Sequence, residues 1–181
     1  MKSIAVFCGS QKGAKESYAD AARALGGLLA ASNTTLIYGG GKVGLMGILA
    51  DTVMEKGGKV IGVIPKKLMD MEVGHQGITE LITVKDMHER KAMMNDLSDA
   101  FVCLPGGVGT LEEVFEVFTW SRIGYHNKPC GLINVDGFYD PLIHMLQHTV
   151  QEGFISAESA SDLLFDNDAA SLLKRMEEIA V

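Results

Sequence analysis

The chain has 181 residues, 47% of them hydrophobic and 22% charged, with a net charge of −7. Length and composition predict one globular domain over residues 1–181 and exclude disorder for most of it. The acidic balance argues against a basic face for nucleic acid or an anionic membrane, though not against a small anion at one site.

The first predicted strand is Ser3–Cys8 (SIAVFC), followed by Gly9 and Ser10. A helix over 14–31 follows, with Tyr18, Ala21, Ala22, Leu25, Leu28 and Leu29 at helical spacing. Thr35–Tyr38 is a short strand before the glycine-rich run 39–47, and a helix over 44–55 is stopped by Gly57 and Gly58. Residues 59–64 form a third strand ended by Pro65, and 66–77 are a loop or short helix without clean period. A strand at 78–84 leads to a helix at 86–97, with Asp86 and Glu89 as a capping pair. Residues 100–104 are a strand; the helix after it carries Leu111, Val114, Phe115 and Phe118 on one face. Residues 130–134 form a strand and 138–152 an amphipathic helix ended by Gly153. A short strand at 163–165 and a helix at 169–179 complete the chain.

Strand and helix thus alternate about seven times, and most strands are continuous apolar runs. Strands covered on both faces read that way. The expectation is an α/β Rossmann-like, doubly wound parallel sheet of about seven strands with helices on both faces. Ligands of such folds sit beyond the carboxyl ends of the strands. Three of the glycine clusters fall on that rim: Gly9-Ser10, Gly39–Gly47 and Gly106-Gly107-Gly109.

Cys8, Cys103 and Cys130 are odd in number, far apart and close to apolar runs, which predicts buried free thiols. The apolar run after Met1 is too short for a secretory signal, and none approaches the roughly 18 residues of a membrane span; a cytoplasmic protein is expected. His144 and His148 are four apart on a helix but point away from its apolar face and lack a nearby glutamate pattern, so no metal site is expected.

Gly39, Gly41 and Gly44 match the dinucleotide spacing after a strand. The ribose-binding acid expected about 20 residues on is missing, because that strand ends in Ile64-Pro65-Lys66-Lys67. The segment is a tight turn or a place of close approach to some other ligand. The run Pro105–Glu113 (PGGVGTLEE) is more informative. Gly106, Gly107, Val108 and Gly109 can present several N–H groups in one direction, and Thr110 sits near a helix start that favours a phosphate. Thr110 and Glu113 also fit a capping box, and that alternative stays open for Glu113. Arg90 and Lys91 lie on the first turns of another helix at the same rim, where they are either a solvated face or partners for a phosphate or base edge.

The run 105–113 and the ERK of 89–91 are similar to the LONELY GUY family of cytokinin-activating phosphoribohydrolases, whose members also carry the label "lysine decarboxylase". The resemblance extends through FCGS at 7–10, YGGGKVGLMG at 38–47, VIGVIP at 60–65, DMHERKAMM at 86–94, PGGVGTLEEVFEVFTW at 105–120 and KPCGLINVDGFYDPL at 128–142. It implies hydrolysis of the N-glycosidic bond of a purine nucleoside 5′-monophosphate, such as N6-isopentenyl-AMP or AMP, to free base and ribose 5-phosphate. It implies Arg90 and Glu113 as the catalytic pair and the loop 107–110 as the phosphate cradle. Glu72, Lys91 and Thr119 are implied as substrate-binding positions, with Gly9, Ser10 and Gly41 on the same rim. It further implies a homodimer, whose neighbouring chain could complete the pocket, and no metal or organic cofactor. No lysine sits in a recognisable pyridoxal phosphate site. Two other readings are a nucleotide or molybdenum-cofactor carrier of the same fold, which would bind without turnover, and a dinucleotide oxidoreductase.

Overall fold

A computed structural model describes residues 1–69 and 74–179. Seven strands alternate with eight α-helices in these residues: β1 (Ser3–Phe7), α1 (Glu16–Ala31), β2 (Thr35–Tyr38), α2 (Gly44–Glu55), β3 (Val60–Pro65), α3 (Lys66–Met69), β4 (Glu80–Val84), α4 (Met87–Asp96), β5 (Ala100–Cys103), α5 (Val108–Arg122), β6 (Cys130–Ile133), α6 (Asp140–Gln151), α7 (Ala157–Ser161), β7 (Leu163–Asp166) and α8 (Ala169–Ile179). The sheet order is β4-β3-β2-β1-β5-β6-β7, and every pairing is parallel.

Period-two alternation explains the continuous apolar runs. In β1, Ile4 and Val6 pack on one face with Leu25 of α1, Leu49 of α2 and Leu172 of α8. Ala5 and Phe7 pack on the other with Met94 of α4 and Val114 and Phe118 of α5. Both faces of the strand are therefore dry. Burying one such aliphatic or aromatic side chain is worth about 1.5–3 kcal/mol.

Most boundaries fall within two residues of those expected. The helix at 138–152 starts at Asp140 instead, after a 3₁₀ turn at Val135–Gly137; Pro141 lies in its first turn, where a missing N–H costs nothing. Asp86 caps α4, accepting from the backbone amides of His88 and Glu89 at 3.0 Å. Glu89 reaches back one residue further than a standard box, to the amide of Lys85 at 2.6 Å. The segment 66–77 opens with α3, and Gly74 bridges Gly41 antiparallel. The short helix α7, capped by Ser156, was not expected; a five-residue helix leaves no periodic signal.

Three backbone bonds knit the carboxyl rim. Leu104 N–H donates to the Phe7 carbonyl (2.9 Å), Gly9 N–H to Pro105 (3.1 Å), and Leu45 N–H to Gly9 (3.1 Å). Strand order reverses between β1 and β5, so this seam is the topological switch point where an open sheet leaves a crevice.

Candidate active site

Cys103 ends β5, and the run Leu104–Gly107 carries the chain into α5 across the end of β1. Tyr139 supports the turn from below: its buried hydroxyl donates to the Leu104 carbonyl at 2.7 Å and lies 3.2 Å from Cys103 Sγ. Gly107 is the N-cap residue of α5, and no side chain caps this end. The first-turn N–H groups have no partners within the helix, and the helix dipole adds positive potential there. Thr110 is therefore in the first turn rather than at the cap. The cap residue is Gly107, so a capping box starting from Thr110 has no place at this helix end.

The glycines of this turn divide by what surrounds them. A β-carbon on Gly106 would overlap the Thr110 side chain, whereas Gly107 and Gly109 have nothing within 4 Å. Neither has a positive φ. Their lack of a side chain serves neither the backbone nor the chain's own packing, and it leaves room for a ligand to reach the N–H groups.

Beside this helix end lies a cleft of about 340 Å³, lined among others by Ser10, Met87, Arg90, Val108, Thr110 and Glu113. Arg90 comes from α4 and Glu113 from the second turn of α5. Arg90 NH2 stands 3.6 Å from Glu113 Oε1, with the two side chains only 8% and 12% exposed. Arg90 NH1 points to the Met87 sulfur at 3.7 Å, and its buried Nε has no partner. A buried guanidinium with an idle donor is costly unless something else satisfies it. Burial pushes the Cys8 thiol at the cleft floor upward, with smaller contributions from Cys103 and Glu113. It stays a neutral thiol at neutral pH and is a poor nucleophile.

The other candidates divide. Gly9 and Ser10 line the cleft, as do Gly107, Val108 and Gly109. Gly106 lines a neighbouring hollow of about 250 Å³ that shares Gly9, Ser10 and Gly107 with it. Gly41 is buried in the bridge to Gly74 and lines neither. Lys91 is held by Glu112 at 2.8 Å and Glu116 at 2.9 Å, tying α4 to α5. Burial alone would lower its pKa, but those two carboxylates outweigh it and hold the ammonium above its ordinary range. Thr119 is exposed further along α5, away from the cleft lining. Glu72 lies outside the described residues. Met87, expected as core or pocket wall, lines the cleft, as does Met46, which no motif singled out. A hollow of about 1050 Å³ lies over the loop 10–14 and the start of α2. It holds Lys12, Lys42 and Asp51 but no buried acid–base pair, so the smaller cleft is the better candidate for chemistry. Among the described residues no His, Cys, Asp and Glu cluster could hold a metal, and no helix is long and apolar enough to cross a membrane.

Comparison with known proteins adds to this geometry. A family described as "Possible lysine decarboxylase" matches residues 46–176. A cytokinin riboside 5′-monophosphate phosphoribohydrolase of Arabidopsis thaliana is 49% identical over 177 residues, 98% of this chain and 82% of the relative. One from Rhodococcoides fascians is 48% identical over 168 residues, 92% and 85% of the two chains. Among solved structures, the molybdenum cofactor binding protein of Rippkaea orientalis superposes with a TM-score of 0.75 at 22% identity, covering 100% of this chain and 99% of its own. A molybdenum cofactor carrier of Chlamydomonas reinhardtii gives 0.72 at 19% identity, covering 98% and 96%. At such identities the likeness is one of fold: the same Rossmann-like sheet.

Proposed function

The chain belongs to the LONELY GUY family, that of the cytokinin riboside 5′-monophosphate phosphoribohydrolases, and from that premise we propose that residues 1–181 form one catalytic domain hydrolysing the N-glycosidic bond of purine nucleoside 5′-monophosphates. The substrates are cytokinin-type N6-substituted adenosine monophosphates and AMP. The products are free base and ribose 5-phosphate. The observation that carries the reading is the buried Arg90–Glu113 pair beside the uncapped end of α5.

The 5′-phosphate docks at the first-turn N–H groups of α5, past Gly107 and Gly109. It lies away from the bond that breaks, and its binding energy fixes the sugar against Glu113. Water adds its oxygen at C1′, the bond to the base nitrogen breaks with its electron pair going to the base, and the proton that the water gives up ends on that nitrogen. Positive charge builds on the ribose ring in between, as in other glycoside hydrolyses. The Glu113 carboxylate stabilises that charge and orients the water. Arginine cannot be deprotonated in proteins, so Arg90 works by donation and charge rather than as a proton source. Its spare donors hold the nucleotide and offset charge collecting on the departing base. This chemistry uses no metal or organic cofactor.

The same reading takes the protein as a cytoplasmic homodimer. Three buried free cysteines suit a reducing compartment. Ile123 and Tyr125, just beyond the end of α5, are 62% and 79% exposed, apolar surface that suits a second copy. Light scattering at micromolar concentration should give twice the chain mass; a monomer counts against the dimer.

The deciding assay is chromatographic detection of free base from AMP, N6-isopentenyl-AMP and adenosine. Release from both monophosphates and not from adenosine supports the reading. A folded protein that releases no base from any of them refutes it.

A further inference from the structure

Gly39 was singled out by the dinucleotide spacing, and the proposed chemistry leaves it without a role. It follows β2 directly and is buried. Its neighbours Gly40 and Gly44 have φ of +79° and +65°, so their backbone conformation requires glycine, but Gly39 has no positive φ. What excludes a side chain there is one group. The first atom a β-carbon on Gly39 would meet is Arg90 NH2, with Arg90 Cζ at 3.3 Å and Met46 Sδ at 3.2 Å. Arg90 NH2 is the nitrogen that faces Glu113. The guanidinium therefore lies against bare backbone at residue 39 on one side and Glu113 on another, with the Met87 sulfur at NH1.

We infer that Gly39 is a positioning residue: the space left by its missing side chain seats the Arg90 guanidinium against Glu113. The inference rests on the reading of Arg90 and Glu113 as the reacting pair. The obstructed atom is the far end of a long side chain, which can swing away at low cost to the fold. It cannot swing away and keep its contact with Glu113. A misplacement of about 1 Å at a reacting group costs on the order of 100-fold in rate. An alanine at residue 39 is thus tolerated by the fold and not by the site.

The test is Gly39→Ala, alone and combined with Arg90→Lys, whose shorter side chain has no nitrogen at the NH2 position. Gly39→Ala should melt near the wild type, lose on the order of 100-fold in kcat on AMP with a smaller change in KM, and cost little more on top of Arg90→Lys. A crystal structure of Gly39→Ala should show the guanidinium moved off Glu113. Unchanged kcat, an equal loss in the Arg90→Lys background, or a guanidinium still in place beside a shifted backbone would each overturn the inference. If the wild type releases no base, the functional reading fails, and the position of Arg90 in the variant crystal still decides the role of Gly39.

Discussion

Two glycine-rich turns stand side by side on the carboxyl rim, one after β2 and one after β5, and their sequences look interchangeable. Their surroundings do not. In the first, a β-carbon on Gly39 would run into Arg90, on Gly44 into the Ser10 backbone, and on Gly47 into the Lys42 carbonyl. In the second, only Gly106 is filled, by Thr110, while Gly107 and Gly109 look onto open space. The first turn uses glycine so that the chain can approach itself; the second uses it so that something else can approach the chain. Glycine count and spacing carry no trace of this difference, which is why a dinucleotide pattern fits the turn that holds no phosphate in our reading.

Four substitutions would break or sharpen that contrast. The largest effect is expected at Glu113→Gln, which keeps the shape of the site and removes its charge. Base release from AMP should fall about 1,000-fold or more in a protein that still folds, as read by circular dichroism. Equal activity would move the chemistry out of this cleft. Next comes Gly44→Ala in the self-packed turn, where positive φ and contact with backbone leave no cheap escape. It should destabilise by about 1–3 kcal/mol, and each kcal/mol lowers Tm by about 2–4 °C in a chain of this size. Gly107→Ala in the open turn should melt like the wild type and raise KM for monophosphates by about tenfold, or about 1.4 kcal/mol. If it instead lowers Tm with KM unchanged, the two turns do the same job.

The smallest effect concerns the cap that aims α4, and hence Arg90. The Asp86 carboxyl is held below its ordinary value of 3.8, chiefly by the backbone amide of Glu89 and also by that of His88. A depressed folded pKa contributes stability that is complete above the ordinary value and is lost as pH falls through the folded one. The Tm gap between wild type and Asp86→Ala should therefore be widest near neutrality and close in acid. A gap that widens in acid would mean the carboxylate does not cap the helix.

Much of the fold was legible in the sequence because strands buried on both faces and helices with one apolar stripe leave distinct patterns. Ile4–Phe7 could only be a doubly covered strand, and Leu25, Leu29 and Ala22 could only be one helix face. The helix α2 and the strand β2 have the bounds that their apolar runs and flanking glycines imply. What escaped was set by tertiary geometry or by brevity. The offset reach of Glu89, the 3₁₀ turn ahead of α6 and the five-residue α7 leave too little signal. At the site, the run 105–113 suggested an anion at a helix start, but it could not decide between a cap and a ligand for Glu113. That depended on where α5 begins, three residues earlier than a Thr110 cap would require. The tie of Lys91 to Glu112 and Glu116 across two helices was likewise invisible in the sequence.

The strand order has a kinetic consequence. β1 to β4 form one run of neighbours, and their connections are local. The pairing of β1 with β5 joins segments about a hundred residues apart in the chain, a contact whose loop-closure cost must be met before it yields anything. Arg90 precedes that seam and Glu113 follows it. During refolding, helical and strand signals can return while the two halves are still undocked, and no catalysis can accompany them. Recovered base release is thus a clock for the closing of the central seam, and its lag behind the circular dichroism signal measures how late that closing comes.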